Sequence, residues 1–339
     1  MFRNILIIKP SSLGDVVHAL PVLAKLKGAY PDARISWLVG AAAAPILASN
    51  AKIDRLIYFR RRSEGLGRGV KAQVSLLRRL AAGRFDCVVD LQGLLRSALW
   101  AFSTRARRRV GLDDAREGAR FFYTDVVRLD GRMHAVDRYL RVGNVLGFDA
   151  EEPEFEISVP GAVRRSVDAV IEKYPRPFFA LSLGARWPSK NWPAANFADA
   201  ARRLLERFGG TVFLVGARQS LADAKEIEEN VPSGVVNLAG RTNLEELVAL
   251  VAKADLFVTP DTGSMHVADA LGTPLVAVFG PTDPARTGPY FQRERVVTAA
   301  PPCREAPCLR RECSDMACMR NITGEAVFLK AAAVLEGAA

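Results

Sequence analysis

Residues 255–281, Asp-Leu-Phe-Val-Thr-Pro-Asp-Thr-Gly-Ser-Met-His-Val-Ala-Asp-Ala-Leu-Gly-Thr-Pro-Leu-Val-Ala-Val-Phe-Gly-Pro, constrain the fold most. The apolar runs Leu256–Thr259 and Leu275–Phe279 show no polar/apolar alternation, so both read as buried strands. Between them Pro260-Asp261-Thr262-Gly263-Ser264 leads into a helix of small residues, Met265–Leu271. A helix that begins among Asp, Thr, Gly and Ser points free backbone N–H groups outward, a ready seat for a phosphate or diphosphate. Asp261 only accepts hydrogen bonds, so its expected work is to cap the helix or to bind sugar hydroxyls.

The same alternation runs through the chain. Ile5–Ile8, Ile35–Val39, Cys87–Asp90, Phe178–Leu183 and Thr211–Val215 read as strands. His18–Ala29, Leu76–Ala82, Ala194–Phe208, Leu221–Asn230 and Leu244–Ala252 read as helices. Apolar strands alternating with helices build parallel sheets covered on both faces. The acidic, Pro-containing stretch at 151–160 is the natural linker, so the 339 residues are expected to form two doubly wound, Rossmann-like α/β domains facing a cleft. Ligands of such sheets bind at the carboxyl ends of the strands.

Charge is uneven. Residues 1–150 carry 26 Lys and Arg against 13 Asp and Glu, a net +13, while the remainder carries 21 against 24, a net −3. The excess sits in Arg60-Arg61-Arg62, Arg78-Arg79, Arg105 and Arg107-Arg108-Arg109, so the first half is suited to an anionic partner. Nothing resembles a recognition helix or an aromatic base-stacking surface, which argues against nucleic acid. No apolar run is long enough to span a bilayer, and the stretch at Ile5–Ile8 is too short for a signal peptide. A cytoplasmic protein is expected.

Three strand-end loops carry candidate chemistry. After the first strand, Lys9-Pro10-Ser11-Ser12-Leu13-Gly14-Asp15 places Gly14 for a tight turn or a close approach. Asp15 is placed at a helix start, either as a cap or as a general base. Lys9 and the serines are placed to contact a sugar or phosphate. One glycine does not make a dinucleotide fingerprint. In the second half, Lys190 lies between Trp187 and Trp192, at the same rim as the Asp261 loop, where it can pair with a diphosphate. Gly280-Pro281-Thr282-Asp283 is a turn at that rim, with Thr282 and Asp283 as possible sugar contacts. Cys87 reads as core. Cys303, Cys308, Cys313 and Cys318 follow C-x4-C-x4-C-x4-C, compatible with structural zinc or iron, though the spacing is not the usual C-x2-C knuckle.

These segments, together with Asp90-Leu-Gln-Gly-Leu-Leu-Arg-Ser97, Ala115-Arg-Glu-Gly118 leading to Phe122-Tyr123, His134-Ala-Val-Asp137 and Lys190-Asn-Trp-Pro193, resemble the bacterial lipopolysaccharide heptosyltransferases of glycosyltransferase family 9, most closely its heptosyltransferase I branch. The motifs run in order through most of the chain. The resemblance implies a glycosyltransferase-B architecture: an acceptor domain over 1–155, a donor domain over 160–320, and a final segment, 321–339, whose helix returns to the first domain. It implies inverting transfer from an ADP-heptose donor to the Kdo sugar of lipid A at the inner-membrane surface, with no cofactor needed for catalysis.

Position by position, Asp15 matches the catalytic base, with Lys190 assisting the leaving group. Ser12, Gly14, Ala185, Arg186, Lys190, Arg218, Thr242, Asp261, Thr262, Gly263 and His266 fall at donor-side positions. Lys9, Ser11, Arg60, Arg61, Arg62, Gln92 and Arg116 fall on the acceptor side. Ala185 and Arg186 stand where the family tends to have two threonines, and Arg218 stands where an acidic ribose contact is expected. The four-cysteine segment is reminiscent of some members.

Overall fold

The structure, a computed structural model, describes residues 1–59, 66–300 and 303–337. It divides into two compact units, Met1–Ser158 and Val159–Ala339. In the first, the strands are β1 (Asn4–Ile8), β2 (Arg34–Gly40), β3 (Arg55–Phe59), β4 (Cys87–Asp90), β5 (Arg108–Leu112) and β6 (Asp125–Val127), in the order β3-β2-β1-β4-β5-β6. In the second they are β7 (Phe178–Leu183), β8 (Thr211–Gly216), β9 (Val235–Asn237), β10 (Leu256–Pro260), β11 (Leu275–Phe279) and β12 (Val296–Thr298), in the order β12-β11-β10-β7-β8-β9. Every strand pairing is parallel. Counted from its own first strand, each unit has the doubly wound order 3-2-1-4-5-6, which reverses direction between its first and fourth strands.

The central strands are unbroken apolar runs because both faces are covered. Ile5, Leu6, Ile7 and Ile8 of β1 and Val88 and Val89 of β4 are fully buried, as are Phe179–Leu181 of β7 and Leu256–Val258 of β10. On one face of the second sheet, Phe197, Ala201 and Leu204 of the helix Ala194–Phe208 pack into this core. On one face of the first, Leu76 and Leu80 pack on Leu6, Ile8, Leu38 and Trp100.

Several expectations are corrected in detail. The helix expected over His18–Ala29 is two, Leu13–His18 and Leu20–Ala29, broken where Pro21 removes a donor from the first turn of the second. Gly14 therefore lies inside a helix, buried, and not in a tight turn. The helix after Asp261 runs Gly263–Ala270, two residues earlier than expected, and its N-cap is Thr262. The last helix, Gly324–Leu335, belongs to the second unit and packs on the helix Ala194–Phe208 and on β11 and β12. Val327 and Ala331 enter that unit's core, and this burial holds the helix there.

Candidate functional site

The sequence motifs come together in three clusters, two in the first unit and one in the second. The first forms at the carboxyl end of β1. The Oδ2 atom of Asp15 accepts from the backbone N–H of Ser12 at 2.7 Å and from its Oγ at 2.9 Å, closing the first turn of the helix Leu13–His18. The Oδ1 atom takes the hydroxyl of Tyr139 at 3.3 Å and lies 3.7 Å from the Lys9 ammonium. One oxygen of Asp15 thus caps the helix turn and the other faces Lys9 and Tyr139. The side chain is 40% exposed, against 4% for Lys9.

Lys9 was expected at the acceptor, but it is buried and donates to the Leu91 carbonyl at 3.2 Å. Burial pushes its ammonium down, yet Tyr139 and Asp15 outweigh that and hold it above its ordinary value, so the charge persists. Burial likewise raises the Tyr139 phenol, which remains a donor. The buried rings of His18 and His134 meet edge to face at 5.3 Å, docking the Lys9–Pro21 and His134–Asp137 motifs together. Tyr139 was missed in the sequence; its signal was its place two residues beyond the His134–Asp137 motif, on the helix Ala135–Leu140.

The second cluster joins the Asp90 and Ala115 motifs at the end of β4. Asp90 is 1% exposed and takes N–H bonds from Gln92 and Gly93 and the hydroxyl of Tyr123 at 2.8 Å. Burial raises its carboxyl above the usual range; burial and Asp90 together raise the Tyr123 phenol. The N–H of Arg116 donates to the Gly93 carbonyl at 2.8 Å, and the Arg116 side chain is exposed. The Oε1 atom of Gln92 is buried with no hydrogen-bond partner, an acceptor left open within this cluster. Ser11 is exposed next to Ser12. Arg60, Arg61 and Arg62 lie outside the described residues.

The third cluster sits at the reversal point of the second sheet, where β7 and β10 end side by side. Lys190 Nζ is 2.5 Å from Asp261 Oδ2, and Thr282 Oγ1 donates to the same oxygen at 2.7 Å. Asp261 therefore does not act as the N-cap residue. Its carboxylate joins three strand-end loops. Ser182 at the end of β7 bonds Ser264 at 3.0 Å, and Ser264 bonds Thr262 at 2.7 Å, which fixes the N-terminus of the helix Gly263–Ala270 against the sheet. Gly184 has φ +75°, and a Cβ there would fall 2.6 Å from Ser220 Oγ, so the turn after β7 requires glycine. The next residue, Ala185, donates its N–H to Asn191 Oδ1 at 2.7 Å.

Arg186 and Arg218 are exposed, Thr242 is half-buried and His266 is buried at 7% exposure. Trp187 was singled out only as a neighbour of Lys190; its indole centroid lies 4.7 Å from that ammonium.

The four cysteines carry no disulfide. Burial raises the Cys318 thiol, and Cys303, Cys308 and Cys313 add to the shift, so the four are electrostatic neighbours. Among the described residues, however, no group of three or more His, Cys, Asp or Glu side chains converges to hold a metal ion. Structural zinc or iron at Cys303, Cys308, Cys313 and Cys318 is thus a reading of their spacing alone.

Two doubly wound units, the first with a held carboxylate and the second with a cation and a helix N-terminus at its strand ends, are the parts of a nucleotide-sugar transferase of the glycosyltransferase-B type. Comparison with known proteins agrees. The model of glycosyltransferase family 9 (heptosyltransferase) matches residues 73–318. Lipopolysaccharide heptosyltransferase 1 of Salmonella typhimurium is 32% identical over 306 residues, 86% of this chain and 92% of that protein. Lipopolysaccharide heptosyltransferase 3 of Escherichia coli is 30% identical over 281 residues, 80% of this chain and 81% of that protein. Among solved structures, E. coli heptosyltransferase WaaC with ADP superimposes with a TM-score of 0.77 at 26% identity, over 98% of this chain and 99% of that one. The chain belongs to glycosyltransferase family 9, the heptosyltransferases, and is an enzyme.

Proposed function

We propose that the protein transfers heptose from ADP-heptose to the Kdo sugar of lipid A, with inversion at the anomeric carbon. The observation that carries this reading is the divided use of Asp15: one oxygen is consumed in the helix turn, and the other is presented beside a charged lysine. A carboxylate fixed in this way is suited to take the proton of an acceptor hydroxyl as that hydroxyl attacks the donor. The departing ADP gathers negative charge as the glycosidic bond breaks. Lys190 and the N–H groups at Thr262–Ser264 are suited to meet it, which favours the transition state over the ground state. Asp261, beside Lys190, is suited to fix that cation and to bind sugar hydroxyls. Among the other donor-side positions, Arg186 and His266 follow β7 and β10, and Arg218 and Thr242 follow β8 and β9. On the acceptor side, Ser11, Gln92 and Arg116 border the Asp15 and Asp90 clusters.

The acceptor is an anionic glycolipid, and the first unit offers a surface for it. The helices Leu66–Ala82 and Leu95–Ser103 and the segment 104–112 contain no Asp or Glu. Arg78, Arg79, Arg105 and Arg107 are exposed there beside exposed Val70, Val74, Leu99 and Phe102. Apolar side chains interleaved with arginine suit an anionic bilayer surface. No described helix is long and apolar enough to cross a membrane. The place of this heptose in the core is tested by offering ADP-heptose with Kdo-lipid A and with the same acceptor already carrying one heptose. Faster transfer to the bare Kdo acceptor is expected; preference for the heptosylated one moves the reading to a later position.

A further inference from the structure

We propose that Arg311, carried by the four-cysteine segment, is a further donor-binding residue that grips the diphosphate of the nucleotide sugar; the proposal rests on the reading of the Lys190–Asp261 cluster as the donor site. The segment is fastened to both turns that build the cluster. Ser189, 1% exposed, donates its backbone N–H to the Arg311 carbonyl at 3.2 Å and its Oγ to the Arg310 carbonyl at 2.6 Å. The N–H of Leu309 donates to the Pro281 carbonyl at 2.9 Å. Ser189 precedes Lys190 and Pro281 precedes Thr282, so the main chain of Arg311 is held beside the two side chains that meet on Asp261.

Its guanidinium lies 5.4 Å from the centroid of the Trp187 indole, the ring that also has the Lys190 ammonium at 4.7 Å. The two cations are therefore no more than about 10 Å apart. A guanidinium stacked on an indole keeps the edges of its fork for oxygen acceptors, the geometry that suits phosphate.

Charge balance points the same way. The charge of Lys190 is matched by Asp261. A diphosphate brings more than one negative charge, so that pair alone leaves it under-compensated. Its neighbour Arg310 is committed to Glu305 at 2.8 Å. Among the described residues no ion pair takes up Arg311. Arg311 is exposed, so its replacement spares the core.

The test is calorimetric titration of the full chain with ADP and with adenosine, for the wild type, Arg311→Ala and Arg311→Lys. Loss of a charge-assisted contact is expected to weaken ADP by about tenfold in Arg311→Ala and leave adenosine unchanged. Arg311→Lys, which keeps the charge but loses the fork, is expected to fall between. The proposal is overturned by an ADP affinity equal to that of the wild type, and equally by a parallel loss for adenosine, which would make Arg311 a prop for the loop. If the wild type prefers UDP or GDP, the adenine donor reading fails while Arg311 is judged on that diphosphate against its nucleoside. A wild type that binds no nucleoside diphosphate overturns both.

Discussion

Lys190 Nζ and Asp261 Oδ2 stand 2.5 Å apart, 16% and 7% exposed, and Thr282 donates to the same carboxylate oxygen. Removing the cation leaves a buried carboxylate without its charge partner. Lys190→Met is expected to cost about 3 kcal/mol in urea unfolding and to weaken ADP binding. In Lys190→Met/Asp261→Asn the loss is expected to be smaller than the sum of the two single losses, because the stranded charge is gone. Strict additivity would show that the pair is not coupled.

Asp15→Asn keeps the shape of the side chain and removes its basicity. The turnover rate is expected to fall roughly 100- to 10,000-fold, with ADP affinity largely kept because Lys190, Asp261 and Thr262–Ser264, proposed to hold the diphosphate, lie in the second unit. Turnover near the wild-type rate would remove Asp15 from the chemistry.

Tyr139 acts on Asp15 through its hydroxyl. Tyr139→Phe deletes one hydrogen bond of about 1 kcal/mol, so kcat should fall about fivefold while the KM for the donor stays fixed. A change in donor KM with constant kcat would contradict a positioning role.

Asp90 ties structure to pH. Its carboxyl is raised in the folded state above its ordinary value, chiefly by burial. A raised value means that its favourable contribution is full below the ordinary, unfolded value and is lost as the pH rises through the folded one. Asparagine cannot ionise. The stability of Asp90→Asn relative to the wild type should therefore climb as the pH is raised from about 4, then level off. Urea midpoints for both proteins across pH 4 to 8 would show this; a constant gap would mean that Asp90 does not titrate there.

The basic, apolar face of the first unit is expected to bind vesicles rich in anionic lipid, with binding that weakens as salt is raised. Arg78→Glu/Arg79→Glu should reduce sedimentation with such vesicles and leave ADP affinity intact. Equal binding to neutral vesicles would rule out the electrostatic part.

The central strands were legible because burial on both faces turns them into uninterrupted apolar runs, as in Ile5–Ile8 and Phe178–Leu183. Strands β3, β5, β6, β9 and β12 were not legible. They are short or partly exposed, and Val235–Asn237 or Val296–Thr298 alone gives no periodicity. Residues just past strand ends, such as Asp15, Lys190 and Asp261, stood out by that position. Their partners did not, because Tyr139 lies 124 positions from Asp15, and Arg311 meets Trp187 only through the docking of a loop. Long-range pairings of this kind leave no local pattern.

The most direct measurement is transfer by the purified protein from ADP-heptose to Kdo-lipid A, with UDP- and GDP-sugars run in parallel and the product followed by mass. The account predicts a gain of one heptose from the ADP donor alone. No gain from ADP-heptose, with transfer from another nucleotide sugar, would contradict it and make Arg218 the first residue to re-examine.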